Sequence, residues 1–371
     1  MLRRFEVTNF KGFKDTLVFD LSARDYAFNP EIVKQDIVNK AIIYGKNGVG
    51  KSSLGIALFD IVSHLTDKEA MPSEYLRNYR NLDSDDLDVN FKYYFVFDSD
   101  EVVYEYTKLK PNFLFLERLT INGEKVIDYC YFSDKESEKY INRQLIGDLN
   151  IDLSDNKLSV IKYIYRNTPT NTVPGITKMV QFCENMLWYR SLSDGNTYAG
   201  FTNGVSTLSE MLYEKGNIED FAQFLKENGL EYSLEFEESD GKHTLMALFN
   251  EGKKKVTFHS VASTGTKALF LFYVWSVTAF KQASLLFIDE FDAFFHYESA
   301  ESIVKELNCA HNFQTILTTH NTYLMQNKLT RPDCCYIMTR NKISNLYDAT
   351  DKEIREAHNL EKMYINGAFR E

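Results

Sequence analysis

Gly45-Lys46-Asn47-Gly48-Val49-Gly50-Lys51-Ser52 fits the pattern G-x-x-x-x-G-K-S/T at every fixed position. The apolar run Ala41-Ile42-Ile43-Tyr44 leads into it and reads as a strand buried on both faces, and Leu54–Leu65 behind it reads as a helix. That context suits the pattern, because its glycines let backbone N–H groups converge on phosphate oxygens while the helix N-terminus adds its positive end. Lys51 is then placed to bridge the β- and γ-phosphates, and the Ser52 hydroxyl to ligate Mg²⁺. Gly45, Lys46, Asn47, Gly48, Val49, Gly50, Lys51, Ser52 and Ser53 together form the expected nucleotide contact.

Working outward, Phe5–Phe10 alternates apolar and polar side chains and Thr16–Leu21 follows the turn at Lys11-Gly12, which predicts an antiparallel pair. Residues 88–131 read as a β-meander, with strands over Val89–Phe97, Glu101–Leu109 and Asn112–Ile121 and a hairpin turn at Asn122-Gly123. From 135 to about 230 the pattern is helical and charged; Asn217 caps a helix whose Ile218, Phe221, Phe224 and Leu225 share a face. Strands return at Tyr232–Glu237 and His243–Phe249. The last third alternates strand and helix as the first sixty residues do. The expected organisation is therefore an α/β head made of 1–134 and 256–371, interrupted by a mainly helical insertion at 135–255. No sustained heptad array occurs, which excludes long coiled-coil arms.

Two carboxylates end the apolar run Leu285-Leu286-Phe287-Ile288-Asp289-Glu290. Asp289 fits a second magnesium element and Glu290 the base that orients an attacking water. Upstream, Ala262-Ser263-Thr264-Gly265-Thr266-Lys267 opens an apolar helix; a serine and a glycine at a helix head make either an anion site or an ordinary cap. Downstream, Thr315–Thr319 reads as a strand that ends in His320, where an imidazole could meet the γ-phosphate or the attacking water.

In that order these motifs resemble an ABC-type ATPase head of the RecF, SMC and OLD group. The phrases Ile43-Tyr44-Gly45-Lys46-Asn47, Ser263–Lys267 and Asp289-Glu290-Phe291-Asp292-Ala293-Phe294, with the tail Leu360–Tyr364, are similar to bacterial AAA/ABC-type ATPases of anti-phage defence operons. The resemblance covers residues 1–65 and 256–371. It implies a P-loop ATPase head with an antiparallel β-subdomain that hydrolyses ATP with Mg²⁺. Ser263 and Gly265 correspond to the signature motif, which faces a nucleotide held by another subunit of a homodimer or higher oligomer. Asp289 and Glu290 correspond to the Walker B pair, and His320 to the switch histidine. Phe291–His296 corresponds to the dimer-contact loop, with Asp292 its expected polar member and its aromatics a sticky surface. Two departures stand out: Ala262 replaces the usual leucine before the signature serine, and Val89–Leu109 contains no glutamine for a Q-loop. The chain after His320 is short for the nuclease domain of OLD relatives, so the effector, a nuclease or toxin, is expected on a separate chain.

Composition narrows the partners. The 371 residues carry 42 Lys and Arg against 53 Asp and Glu, a net charge of −11, which excludes non-specific wrapping of nucleic acid but not a local basic patch. Lys253-Lys254-Lys255, Arg3, Arg4, Lys11 and Lys14 are the candidates for such a patch, in the manner of a RecF-like DNA-repair or DNA-end-binding ATPase, or else are solvated charges. A scaffold that binds ATP and barely turns it over is a further alternative. Five cysteines without C-x-x-C spacing predict unbridged thiols in a reducing interior, and no apolar run is long enough to span a bilayer. A cytoplasmic protein without a membrane partner is the expectation.

Overall fold

The computed structural model describes residues 1–68, 76–133, 135, 138–147, 149, 151, 153, 158–190, 198–199, 207–293, 295–309 and 313–370. Two seven-stranded sheets organise the chain. The first is antiparallel throughout and runs, in spatial order, Lys139–Ile141, Glu124–Cys130, Phe113–Ile121, Asp100–Lys110, Val89–Phe97, Leu2–Thr8 and Leu17–Asp20. The alternation read at Phe5–Phe10 and through the meander thus becomes one continuous sheet.

The second sheet runs Tyr198–Ala199, Met186–Arg190, Leu285–Asp289, Gln314–Thr319, Lys40–Tyr44, Cys335–Met338 and Ile343–Asn345. Its five inner strands are parallel and its two outer pairings antiparallel. Parallel strands must be covered on both faces, and the residues divide accordingly. Ala41, Ile43, Phe287 and Ile316 join the core that holds the helices Lys51–Leu58 and Asp60–Leu65 and the antiparallel sheet. Ile42, Tyr44, Leu286, Ile288 and Leu317 join a second core with the helices Thr264–Val277 and Tyr297–Cys309. Alternate side chains of one strand therefore build two cores, and the layers stack as sheet, helices, sheet, helices.

Packing behind the Gly-rich loop is close. A Cβ on Gly55 would lie 2.7 Å from the Phe287 ring, so the helix backbone rests directly on that side chain. Burying such a ring contributes about 2–3 kcal/mol.

The segment 135–255 is less separate than its charge pattern suggests. It does contain the helices Val160–Asn167, Pro174–Glu184, Leu208–Lys215 and Ile218–Glu227. Met186–Arg190, however, inserts beside Leu285–Asp289 in the parallel sheet, with Leu187 opposite Leu286. Lys139–Ile141 joins the antiparallel sheet and Tyr198–Ala199 the edge of the parallel one, while Ser233–Ser239, Lys242–Phe249 and Lys254–Thr257 form a three-stranded antiparallel sheet of their own that runs past residue 255. Only Asn185, the cap of the preceding helix, separates Met186-Leu187-Trp188-Tyr189 from it, and the four apolar residues do not alternate, so little in the local sequence marks a core strand. All five cysteines are unbridged thiols; Cys183, Cys334 and Cys335 are buried, Cys130 is half-buried and Cys309 is exposed, and a strand starts at Cys335. Among the described residues no helix is long and apolar enough to cross a membrane.

A buried cation sits at the far end of the strand that feeds the loop. Lys40 Nζ donates to Phe313 O at 2.9 Å and to Thr315 Oγ1 at 3.1 Å. Burial pulls its pKa down to about 7, from 10.5 in an open chain. Between those values the unfolded chain holds a proton that the folded chain has released, so this lysine makes stability rise with pH across that window. Lys40→Met is expected to flatten the rise in denaturant midpoint between pH 7 and pH 10 relative to wild type; an unchanged rise contradicts the assignment.

Candidate functional site

Parallel register decides what meets what. Thr318 lies opposite Ile43 and Thr319 opposite Tyr44, while Ile288 lies opposite Leu317. The strands therefore finish at one edge, and the segments that follow them emerge side by side: Gly45–Gly50, Glu290–Asp292 and His320. A crevice outside the carboxyl ends of parallel strands is where α/β folds bind ligands.

The loop conforms to its sequence pattern for steric reasons. A Cβ on Gly45 would lie 2.8 Å from the Met338 carbonyl oxygen, and Gly50 has φ of 109° with Phe13 packed beneath it. Gly48, at φ 79°, has open space around it, which leaves room for a ligand above the loop. Gly50 caps the helix Lys51–Leu58 without any side-chain bond, so the first helical N–H groups receive no side-chain partner from the cap. Lys51 is 5% exposed and its ammonium curls back to donate to Gly45 O at 2.7 Å and Lys46 O at 3.1 Å. Burial lowers its pKa, and Glu290, Asp289 and Asp292 pull the other way. The site thus holds a cation bonded to carbonyls that a phosphate could replace, facing three carboxylates.

Asp289 is 1% exposed and its Oδ1 accepts from the Thr318 hydroxyl at 2.6 Å. Glu290 follows with φ of 47°, left-handed for a residue with a side chain, and its N–H donates to the same hydroxyl at 2.8 Å. Among the described residues no group of three or more His, Cys, Asp or Glu is set to hold a metal. Mg²⁺ does not need one: it binds through one or two protein oxygens plus phosphates and water, and Asp289 with the Ser52 hydroxyl is a donor set of that type. His320 is exposed at the end of its strand, and Ser52 and Ser53 are half-buried.

Asp292 differs from expectation. It is 7% exposed, and its Oδ1 is buried without a hydrogen-bond partner. Burial raises its pKa, opposed by the Thr319 hydroxyl, His320 and Lys51. The residue expected as the polar face of a contact loop therefore belongs to the interior of the site. Phe291 is also buried, while His296 and Tyr297 point outward; Phe294 lies outside the described residues. Ser263 caps the helix Thr264–Val277 by accepting the Thr266 N–H at 3.1 Å, and is exposed together with Thr264. That helix packs on the second core, across the sheet from the helix Lys51–Leu58.

A cleft of about 510 Å³ opens beside the loop, where Lys11, Arg77, Arg80 and Arg340, with Asp83 the one carboxylate among the described lining residues, face Gly48, Gly50 and Ser53. Its outer wall is well fixed. Lys11 N–H donates to Tyr79 O at 3.1 Å, Asn81 N–H to Asn9 O at 3.2 Å, and the Lys11 ammonium to Arg77 O at 2.9 Å. Tyr79 OH donates to Asp60 Oδ2 at 2.7 Å, which joins this wall to the helix behind the loop. No sequence pattern marks Arg77, Arg80 and Arg340 as a site: Arg77 and Arg80 are a pair of arginines in an acidic chain, and Arg340 arrives from a distant turn. Of the candidate basic patch, Arg3 pairs with Glu101, Arg4 with Glu6 and Lys255 with Glu235, so these three are compensated charges. Lys11 faces the cleft instead.

A protein-family model described as "AAA domain, putative AbiEii toxin, Type IV TA system" matches residues 40–326. No curated protein matches the chain. Among solved structures, an SMC head bound to the C-winged helix domain of ScpA shares 16% identity over 94% of this chain and 99% of that one, at a TM-score of 0.48. The SMC head domain from Thermotoga maritima shares 15% identity over 93% and 98%, at 0.42. An Smc head domain with an extended coiled coil, bound to the C-terminal domain of ScpA derived from Pyrococcus furiosus, shares 14% identity over 94% and 97%, at 0.45.

Removing one guanidinium from the cleft takes away a positive charge and a set of N–H donors beside the loop. Arg77→Ala and Arg80→Ala are each expected to raise the Kd for ATP about tenfold by calorimetry, against a loss of about a hundredfold or more for Lys51→Ala. Unaltered affinity in both arginine variants would show that the nucleotide does not use this cleft.

Proposed function

We propose a function on the premise that the chain belongs to the AAA-domain family described as "AAA domain, putative AbiEii toxin, Type IV TA system": it binds and hydrolyses ATP, and couples that cycle to association with a second copy and with a separate effector. The observation that carries the reading is the convergence of Lys51, Asp289, Glu290 and His320 at one edge of the parallel sheet.

Lys51 exchanges the Gly45 and Lys46 carbonyls for phosphate oxygens, a replacement of neutral acceptors by charged ones. Ser52 and Asp289 are the residues that would hold Mg²⁺, which when bound neutralises charge on the β- and γ-phosphates. Glu290 accepts a proton from the water whose oxygen attacks the γ-phosphorus, while the bond from that phosphorus to the bridging oxygen of ADP breaks. His320, exposed at its strand end, serves the γ-phosphate side of the same edge. Lys11, Arg77, Arg80 and Arg340 receive the remainder of the nucleotide.

Ser263 and Gly265 head a helix that packs on the opposite face of the sheet from the helix Lys51–Leu58, which suits them to a nucleotide held by another copy. On this reading ATP lies between two subunits, binding closes the dimer and hydrolysis opens it. The output is sensing and control of a separately encoded nuclease or toxin in bacterial anti-phage defence, with the ATPase subunit of the PARIS system the specific comparison. The cytoplasm is the corresponding compartment.

Glu290→Gln separates binding from chemistry. The variant is expected to keep the wild-type Kd for ATP, to lose at least about a hundredfold in kcat, and to accumulate as a dimer in ATP by light scattering. A variant that remains monomeric in saturating ATP rejects the sandwich; one that turns over at the wild-type rate rejects Glu290 as the base.

A further inference from the structure

The ladder between Leu285–Asp289 and Gln314–Thr319 has its last register at Ile288 and Leu317. Beyond it one residue takes over. The Thr318 hydroxyl donates to Asp289 Oδ1 at 2.6 Å and accepts the Glu290 N–H at 2.8 Å. The Thr318 carbonyl accepts the Phe291 N–H at 3.2 Å. Three consecutive residues are tied to a side chain and a carbonyl of one threonine, which is itself 0% exposed.

Chemistry restricts what can stand at this position. Glu290 has φ of 47°, a left-handed conformation that is strained for a residue with a Cβ and persists only where its surroundings hold it. Bonds from Thr318 fall on both sides of that residue, to Asp289 and to Phe291, and on its own N–H. A hydroxyl can accept an N–H and donate to a carboxylate at once. Valine has nearly the same shape and does neither, so it removes the Thr318 bond from a buried carboxylate oxygen and from a backbone N–H. The same strand continues into Thr319, whose carbonyl accepts the Gly45 N–H at 3.3 Å. One strand therefore ties the acidic turn on one side and the start of the phosphate loop on the other.

We infer that Thr318 is a positioning residue for the reaction: through its hydroxyl it holds Glu290 in the left-handed turn that aims the carboxylate of the base, and fixes the Asp289 carboxylate that would hold the metal. The kinetic part of this inference rests on the proposed ATP hydrolysis; the structural part does not.

The full-length chain is compared as wild type, T318V and T318S. Without nucleotide, hydrogen exchange is read in peptides covering residues 286–293, and steady-state hydrolysis is measured with Mg-ATP. The Glu290 amide is expected to exchange about a hundredfold faster in T318V and within about threefold of wild type in T318S. In parallel, kcat is expected to fall about a hundredfold in T318V with KM for ATP within about twofold, and serine to restore kcat to within about threefold. Unchanged exchange in T318V, or equal kcat losses in valine and serine variants, overturns the inference. Should T318V fail to fold, T318A carries the same two expectations. A wild-type chain that does not hydrolyse ATP rejects the proposed function, and the exchange comparison still decides whether Thr318 holds the turn.

Discussion

Everything at this site depends on the register of three parallel strands. Lys40–Tyr44, Gln314–Thr319 and Leu285–Asp289 are distant in sequence, yet their pairings place Tyr44, Thr319 and Asp289 at a common edge. A one-residue slip would turn every side chain of a strand to the other face, exchanging Ile42 for Ile43 between the two cores. Because both faces are packed with helices, the two cores hold the register, and the register in turn delivers the ammonium, the carboxylates and the imidazole to one place. Glu290 accepts a left-handed backbone at that edge, and Lys51 a buried ammonium. Strain and desolvation concentrate where a ligand would be received.

The charge distribution has a similar logic. A net charge of −11 is spread over the chain, but Lys11, Arg77, Arg80 and Arg340 gather in one cleft. Behind them lies a buried polar network: Asp60 accepts from Lys108 Nζ at 2.5 Å and from Tyr106 OH at 2.9 Å, as well as from Tyr79. Asp60 opens the second half of the helical segment behind the loop, and Lys108 and Tyr106 belong to the antiparallel sheet. Removing either charge of the pair would leave the other buried and uncompensated, which costs about 3–5 kcal/mol. The network therefore fixes the cleft wall relative to the loop, so the cationic face is held in place and not merely present.

Legibility in the sequence followed locality. The phosphate loop, the carboxylates after an apolar strand, the Ser263 cap and the strand ending at His320 are all written in contiguous residues, and each lies on the element its pattern implies. The meander was legible because alternation over nine residues, as in Val89–Phe97, has few other readings. What escaped depends on contacts across the chain. Met186-Leu187-Trp188-Tyr189 does not alternate, and becomes a core strand only because Leu285–Asp289 offers an edge. Arg340 and Arg77 share a cleft through the fold alone, and Thr318 looks like an ordinary strand threonine until Asp289 and Glu290 are set beside it. Asp292 shows the converse: a polar residue in an aromatic loop reads as surface, yet the turn after Glu290 carries it inward.

Gly45–Ser53, Asp289, Glu290 and His320 are proposed to form one nucleotide site at this edge. A crystal structure with a non-hydrolysable ATP analogue and Mn²⁺, with the metal located by anomalous scattering, tests it most directly. Lys51 Nζ is expected to leave Gly45 O and Lys46 O for the β- and γ-phosphates, with the metal between Ser52 and Asp289 and the ribose end in the cleft of Arg77 and Arg80. A nucleotide bound away from Gly45–Ser53, or a metal remote from Asp289, would contradict it.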